Sequence, residues 1–397
     1  MKFSDLQKLK ETPPPARTPV PTPASAPPPA AATAEKLPPA AAPRFPISLD
    51  KEAPAPAAIP LLKPSDTGRT RPVPAPEAPF AELDAKARKT YARLLAQAAT
   101  FLQRTSQPYT EQYRAVSSVC ADTAAVLKVN PVLLNYAAYS TSGGYLPGHS
   151  ANTVLLSLAM GLSMGLEDSE LNLLGFCAMA SDIGMQDFEP LYSSSGRLSN
   201  EDYAQLTLHA EQAAAKLDCI VDLDHKVKAR AEQIILQSHE RADGSGYPKK
   251  LPAGEIDPLA QVIGIADVYE ALTHPRSWRE AMPAPEAIRE LIDREGRSFN
   301  ARIVKHLIGV LSIYPPGSLV LLSTGELARV IKVNKGSLTR PLVRIIAGPD
   351  LEEASPAELD LFRHPLTSIE RSVTTAEIEK RNPSLAGKLE LARWWTD

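Results

Sequence analysis

The seven histidines, His149, His209 and His239 among them, and aspartates such as Asp182 and Asp267 are of the side-chain types that could gather round a divalent cation. Imidazole and carboxylate ligate Fe, Mn and Zn. A pair of such ions about 3.5–4 Å apart activates water and neutralises phosphate, which eases phosphodiester hydrolysis. Any one of these histidines alone is more often a satisfied structural residue. Their company lends weight to the chemical reading. Asp243-Gly244-Ser245-Gly246-Tyr247-Pro248 directly follows His239-Glu240-Arg241-Ala242, and its two glycines and proline make a turn between helical runs.

The elements that must position these groups are mostly helical. Leu83, Ala87, Tyr91, Leu94, Leu95, Ala98 and Leu102 recur at three- and four-residue intervals, which predicts a strong amphipathic helix from Phe80. A second helix is expected over 110–128, ended by Asn130-Pro131. Further helical patterns cover 150–166, 168–181, 200–217, 225–239, 258–273, 284–295 and 300–313. Pro315-Pro316-Gly317 breaks the series. After it, 318–322, 327–333 and 342–346 read as short strands joined by turns at Thr324-Gly325-Glu326 and Asn334-Lys335-Gly336.

The fold class is therefore an all-α body with a small C-terminal antiparallel β appendage. The expected organisation is an arm at 1–79, a helical region at 80–140, the main helical domain at 141–314, the appendage at 315–348 and a polar, weakly helical tail at 349–397. More than half of the 38 prolines precede Phe80. With so little apolar surface to bury, the Pro/Ala-rich arm is expected to be extended and disordered. Phe3, Leu6 and Leu9 within it have helical spacing and read as a solvated chain start, with a short docking helix as the alternative; Phe45-Pro46-Ile47-Ser48-Leu49 is a second apolar island read in the same way. Trp394 and Trp395 are expected to dock on the body.

Composition narrows the class of partner. Lys and Arg total 43 against 46 Asp and Glu, a near balance that argues against general nucleic-acid or membrane affinity. Cys120, Cys177 and Cys219 lack metal-type or redox-type spacing and read as small core residues in a reducing compartment. The N-terminus has no apolar core of signal-peptide length, and the longest apolar stretch, about Val154 to Leu166, is too short to span a bilayer, so the expected location is cytoplasmic.

The ordered set His149, Asp182, His209, His239, the Gly246-Tyr247-Pro248 loop and Asp267 resembles the HD-GYP family of bacterial metal-dependent cyclic di-GMP phosphodiesterases. The resemblance covers roughly 140–314. It implies an HD-type helical fold and a binuclear Fe- or Mn-type centre with His149, Asp182, His209, His239 and Asp267 as ligands. It also implies that Arg276 and Arg279 meet the dinucleotide. Four positions depart from the family pattern. Ser181 stands where the namesake histidine precedes Asp182, and Ser238 replaces the first of a His-His pair. Met185 occupies the place of a phosphate-facing lysine, and Tyr145 that of an extra glutamate ligand found in some members. A serine hydroxyl is a poor ligand beside imidazole, so the metal is expected to be weakened or absent. The expectation is a catalytically impaired regulator that binds cyclic di-GMP or a protein partner, the latter through the arm or the GYP loop. The alternative is an active phosphodiesterase with a reduced, mononuclear site. His225, His274, His306 and His364 read as ordinary surface or packing residues, and oligomeric state is left open.

Overall fold

Two of the helices are apolar around most of their circumference, so they must lie inside the body with the others packed against them. A computed structural model describes residues 80–391 apart from 104–109, 139–143, 195, 197, 277–278, 280, 294–296 and 335–336. The proline-rich arm with its two apolar islands, the Lys335-Gly336 turn, Trp394 and Trp395 lie outside the described residues.

Helices α1 (Phe80–Gln103) and α2 (Gln112–Val129) precede a 3₁₀ segment at Pro131–Ala138. Helices α3 (Tyr145–Met164) and α4 (Asp168–Ala180) lead to a second 3₁₀ turn, Ile183–Phe188, and a single helical turn, α5 (Glu189–Tyr192). The body is completed by α6 (Asn200–Leu206), α7 (His209–Lys216), α8 (His225–Gln237), α9 (Pro258–Thr273), α10 (Ala284–Asp293) and α11 (Ala301–Leu311). The central pair is α3 and α9, buried over most of their length. Helices α1, α4 and α11 pack on α3. The stripe Ala87, Tyr91, Leu94, Ala98 and Phe101 of α1 is buried in the same core as Leu155, Leu158 and Ile263. The helices before 140 thus share one core with those after it.

A five-stranded antiparallel sheet follows, in the order β4-β3-β2-β1-β5, from β1 (Leu319–Leu322), β2 (Leu327–Asn334), β3 (Ser337–Ala347), β4 (Glu353–Asp360) and β5 (Ile369–Ser372). Helices α12 (Thr375–Glu379) and α13 (Pro383–Leu391) close one face, where Ile378, Leu385 and Leu389 meet Leu327 and Ala347. Val320, Leu322, Val330, Val343 and Leu361 cluster on the other.

Three stretches differ from expectation. The sheet runs past 348, because β4, which contains Pro356, and β5 are polar edge strands that carry no strong strand pattern. The third strand begins at 337 rather than 342, with Pro341 inside it, where the register with β2 shifts. The helix expected over 200–217 is two helices, divided at Thr207-Leu208, and His209 opens the second.

Close approach of backbones fixes these elements. A Cβ on Gly184 would lie 2.1 Å from the His209 carbonyl and 2.8 Å from the Ala213 amide, so only glycine lets the turn after α4 lie on α7. Gly184→Ala is expected to destabilise the protein by about 1–3 kcal/mol in urea unfolding, the usual range for overpacking. Gly254→Ala, whose Cβ would meet nothing within 4 Å, is the control and should leave the midpoint nearly unchanged.

Candidate metal centre

The chain leaves α4 sharply, and that exit presents Asp182 to the interior. Ser181 keeps helical angles, but Asp182 sits at φ −109°, ψ 12° before the 3₁₀ turn. Its two carboxylate oxygens then face different neighbours. Oδ2 lies 3.0 Å from His149 Nε2 on α3, while Oδ1 lies 3.4 Å from His209 Nε2 on α7 and 3.9 Å from His239 Nε2 just beyond α8. Asp267 on α9 reaches the same centre, with Oδ1 3.0 Å from His149 Nε2 and Oδ2 3.9 Å from His239 Nδ1. Two donor groups result, Asp182/His209/His239 and His149/Asp182/Asp267, with Asp182 common to both. The structure brings together all five residues singled out in the sequence.

The imidazoles are oriented from behind. His209 Nδ1 donates to the Leu206 carbonyl at 2.7 Å, across the break between α6 and α7, which turns Nε2 to the centre 2.9 Å from His239 Nε2. His149 Nδ1 is held by the Glu270 carboxylate. Backing of an imidazole by a carbonyl or carboxylate is the usual support of a metal-ligating histidine. The separations of 2.9–3.9 Å among these nitrogens and oxygens suit donors that share a divalent cation through bonds of about 2.0–2.2 Å. The residues present therefore fit such an ion.

Charge supports the same fit. Burial pushes His239 well below the ordinary imidazole value, with His209 beside it adding to the effect. Burial also acts to lower His149, but Glu270, Asp182 and Asp267 outweigh it and hold its pKa well above normal. Burial would raise Asp182, yet His149 and His209 keep it low. Glu270 is brought down to about 2 against the effect of burial, chiefly by His274 and His149. Carboxylates converge here with few cations to balance them.

The four departing positions surround this centre without donating to it. Ser181 Oγ donates to the Ala178 carbonyl at 3.1 Å, and Ser238 Oγ to the Ile235 carbonyl at 2.8 Å, so each hydroxyl is spent on its own helix. Met185 is buried. Tyr145 stacks on His149 with ring centroids 5.2 Å apart, and the Arg276 guanidinium lies 3.8 Å above the Tyr145 ring. Arg276 also stands 3.8 Å from Glu270. Arg279 is engaged elsewhere, donating to the carbonyls of Ala271 and Leu272 at the end of α9.

The GYP loop forms the adjoining wall. Tyr247 stacks on His239 with centroids 5.0 Å apart and planes 7° from parallel. Glu240 fastens the loop by accepting from the amides of Lys249 (2.7 Å) and Leu251 (3.0 Å). Asp243 accepts from Ser245 and Ser298, and Gly244 takes φ +73°.

Sequence reasoning missed a second layer. His274, expected at the surface or in packing, is buried with Nδ1 3.2 Å from Glu270 Oε1. Asn152 Nδ2 donates to Glu270 Oε1 at 3.2 Å, and Tyr91 Oη donates to Asn152 Oδ1 at 2.7 Å. The first helix is thereby linked to His149. Glu270 lies three residues after Asp267, hence on the same helical face, and that spacing was the available signal. Tyr91→Phe should lower stability by about 1–3 kcal/mol in urea unfolding, because it strips a buried amide oxygen of its donor.

A family model described as an HD domain matches residues 140–303, and one for a KOW domain associated with the HD domain matches 319–381. The chain is 31% identical over 225 residues to the cyclic di-GMP phosphodiesterase PA4108 of Pseudomonas aeruginosa, covering 56% of this chain and 53% of that protein. It is 23% identical over 240 residues to the cyclic di-GMP phosphodiesterase PdeB of Borreliella burgdorferi, covering 60% and 62%. The chain thus spans little more than half the length of these curated relatives. A solved HDG"Y"P protein of Bdellovibrio bacteriovorus, Bd1817, aligns at 21% identity with a TM-score of 0.47, over 58% of this chain and 72% of that one. The donor groups, the GYP loop packed against them and the sequence matches agree: residues 140–303 are an HD domain, followed by its associated KOW domain.

Proposed function

We propose that this chain is a regulatory HD-GYP protein of bacterial cyclic di-GMP signalling, in which the Asp182 centre holds a divalent cation and hydrolysis of the dinucleotide is impaired. The observation that carries the reading is the pair Ser181 and Ser238, whose hydroxyls point to helix carbonyls and leave each donor group with three members. The relatives named as cyclic di-GMP phosphodiesterases support the ligand class.

Asp182, His149, His209, His239 and Asp267 would hold the ion, which when bound supplies positive charge to a phosphate oxygen and acidity to a water. The chain's own residues shape the rest of the pocket. Tyr145 carries Arg276 on its ring, and that guanidinium offers a planar cation suited to phosphate or to stacking. Tyr247 closes the opposite side against His239. Met185 contributes an apolar surface where a lysine would bring a charge. Arg279 fixes the segment bearing Arg276 by capping α9. In this reading the setting is cytoplasmic, and the proline-rich arm or the GYP loop recruits a protein partner.

One observation favours a second reading, an active phosphodiesterase with a reduced centre. Three protein donors with remaining positions open is the pattern of many catalytic zinc sites, and each donor group here keeps three.

Chromatography separates the readings. Full-length protein loaded anaerobically with Fe or Mn is expected to leave cyclic di-GMP intact while binding it, with a concentration-dependent rise in melting temperature. Linear dinucleotide or GMP from the wild type, absent with Asp182→Ala, would establish the enzyme instead. An unchanged melting temperature at saturating nucleotide would leave a scaffold. Arg276→Ala should weaken binding roughly 10–100-fold through loss of a charge-assisted contact. In a chelator-competition titration, Glu270→Gln should lower Mn affinity about 10–100-fold, because it removes the support of His149.

A further inference from the structure

The seam between the helical body and the sheet encloses a cleft of about 140 Å³, separate from the metal centre. Its body side is formed by the Pro131–Ala138 segment, the last turns of α9 and the start of α10, and its sheet side by β1, β2 and the approach to α12. Leu134, Tyr269, Met282, Leu319 and Val373 make the walls largely apolar. Among the described residues the lining contains no carboxylate, and its single charged residue is Arg329.

Arg329 has an unusual position in the sheet. Its register partners are Leu319 on β1 and Arg344 on β3. Arg344 is balanced by Glu358 on β4 at 2.7 Å, whereas Arg329 has no carboxylate at hand among the described residues. Arg329 Nε is sealed from solvent and finds no hydrogen-bond acceptor among the described residues. A buried guanidinium N–H without an acceptor is destabilising, and such groups call for a ligand or a strain-storing role. An apolar cleft at a domain seam with one convergent polar group is the usual form of a small-molecule site. A fixed cation on apolar walls selects an oxyanion carried by a short apolar body.

We infer that this cleft is a binding site for a small organic anion, a carboxylate or phosphate monoester on an apolar body, seated on Arg329. The bound anion would touch Tyr269 and Thr273 of α9, the helix that carries Asp267 and Glu270 on other positions.

The probes are phenylacetate, phenyl phosphate and neutral phenylacetamide, titrated into full-length protein and followed by calorimetry and thermal melting. At least one anion should bind and raise the melting temperature, with the amide roughly 10–100-fold weaker. The arm that binds more tightly identifies the head group. Arg329→Met should abolish the anion preference, yet melt no lower than wild type without ligand, since it removes an unpaired group. Ala281→Leu, which narrows the cleft and keeps the arginine, should also weaken binding. Equal binding of acid and amide, undiminished binding in Arg329→Met, or no binding of either anion at millimolar concentration would overturn the site. A melting temperature that falls in Arg329→Met without ligand would instead make the arginine a structural residue.

Discussion

One carboxylate, Asp182, has to face two groups of imidazoles at once, and the helical body is arranged around that requirement. Its oxygens point to His149 on one side and to His209 and His239 on the other. These residues come from α3, α7 and the end of α8, so three elements must converge on a single turn. Backbone contact achieves it. Gly184 lies against the His209 carbonyl, and Gly264 of α9 lies where a Cβ would meet the Ser238 carbonyl at 2.5 Å. Substituting either glycine would separate the donors before it disturbed any side chain.

The GYP loop has a structural task that does not depend on hydrolysis. Gly246 packs so closely on the backbone of His239, Glu240 and Arg241 that a Cβ would fall 2.4–2.5 Å from their atoms. Glu240 ties the far end of the loop by two amides, and Arg241 extends over the Phe299 ring at 5.1 Å. Tyr247 is thereby fixed flat on His239. The loop is thus part of the scaffold that orients an imidazole, and its presence is compatible with either a working or an impaired centre.

The helical fold was legible because helix periodicity is a local signal, and the five donor residues because their order along the chain, with the Gly246-Tyr247-Pro248 loop, resembles a known motif set. Features set by distant contacts were not. The division of 200–217 at Thr207-Leu208 appears only when the Leu206 carbonyl is needed to turn His209. His274 read as an ordinary surface or packing residue because its role comes from Glu270, which is itself buried by α3 and α9 packing and also holds Asn152. Arg279 looked equivalent to Arg276 in sequence, yet only Arg276 reaches the aromatic ring beside His149. The edge strands β4 and β5 gain their pairing from β3 and β1 rather than from their own composition.

The two serines show why the centre can change chemically without unravelling. Each hydroxyl is satisfied by a carbonyl of its own helix, so neither leaves an unpaired group in the interior. The remaining donors have no such freedom. Removing His149 would strand Glu270 between Asn152 and His274 and leave Asp182 and Asp267 facing each other without the imidazolium. An uncompensated buried charge costs several kcal/mol, far more than a serine that bonds to its own turn. Stability therefore permits replacement at 181 and 238 while it constrains 149, 182 and 270. The polar core that remains is held by the fold's own electrostatics, and it can keep its geometry whether or not a phosphodiester is ever cleaved there.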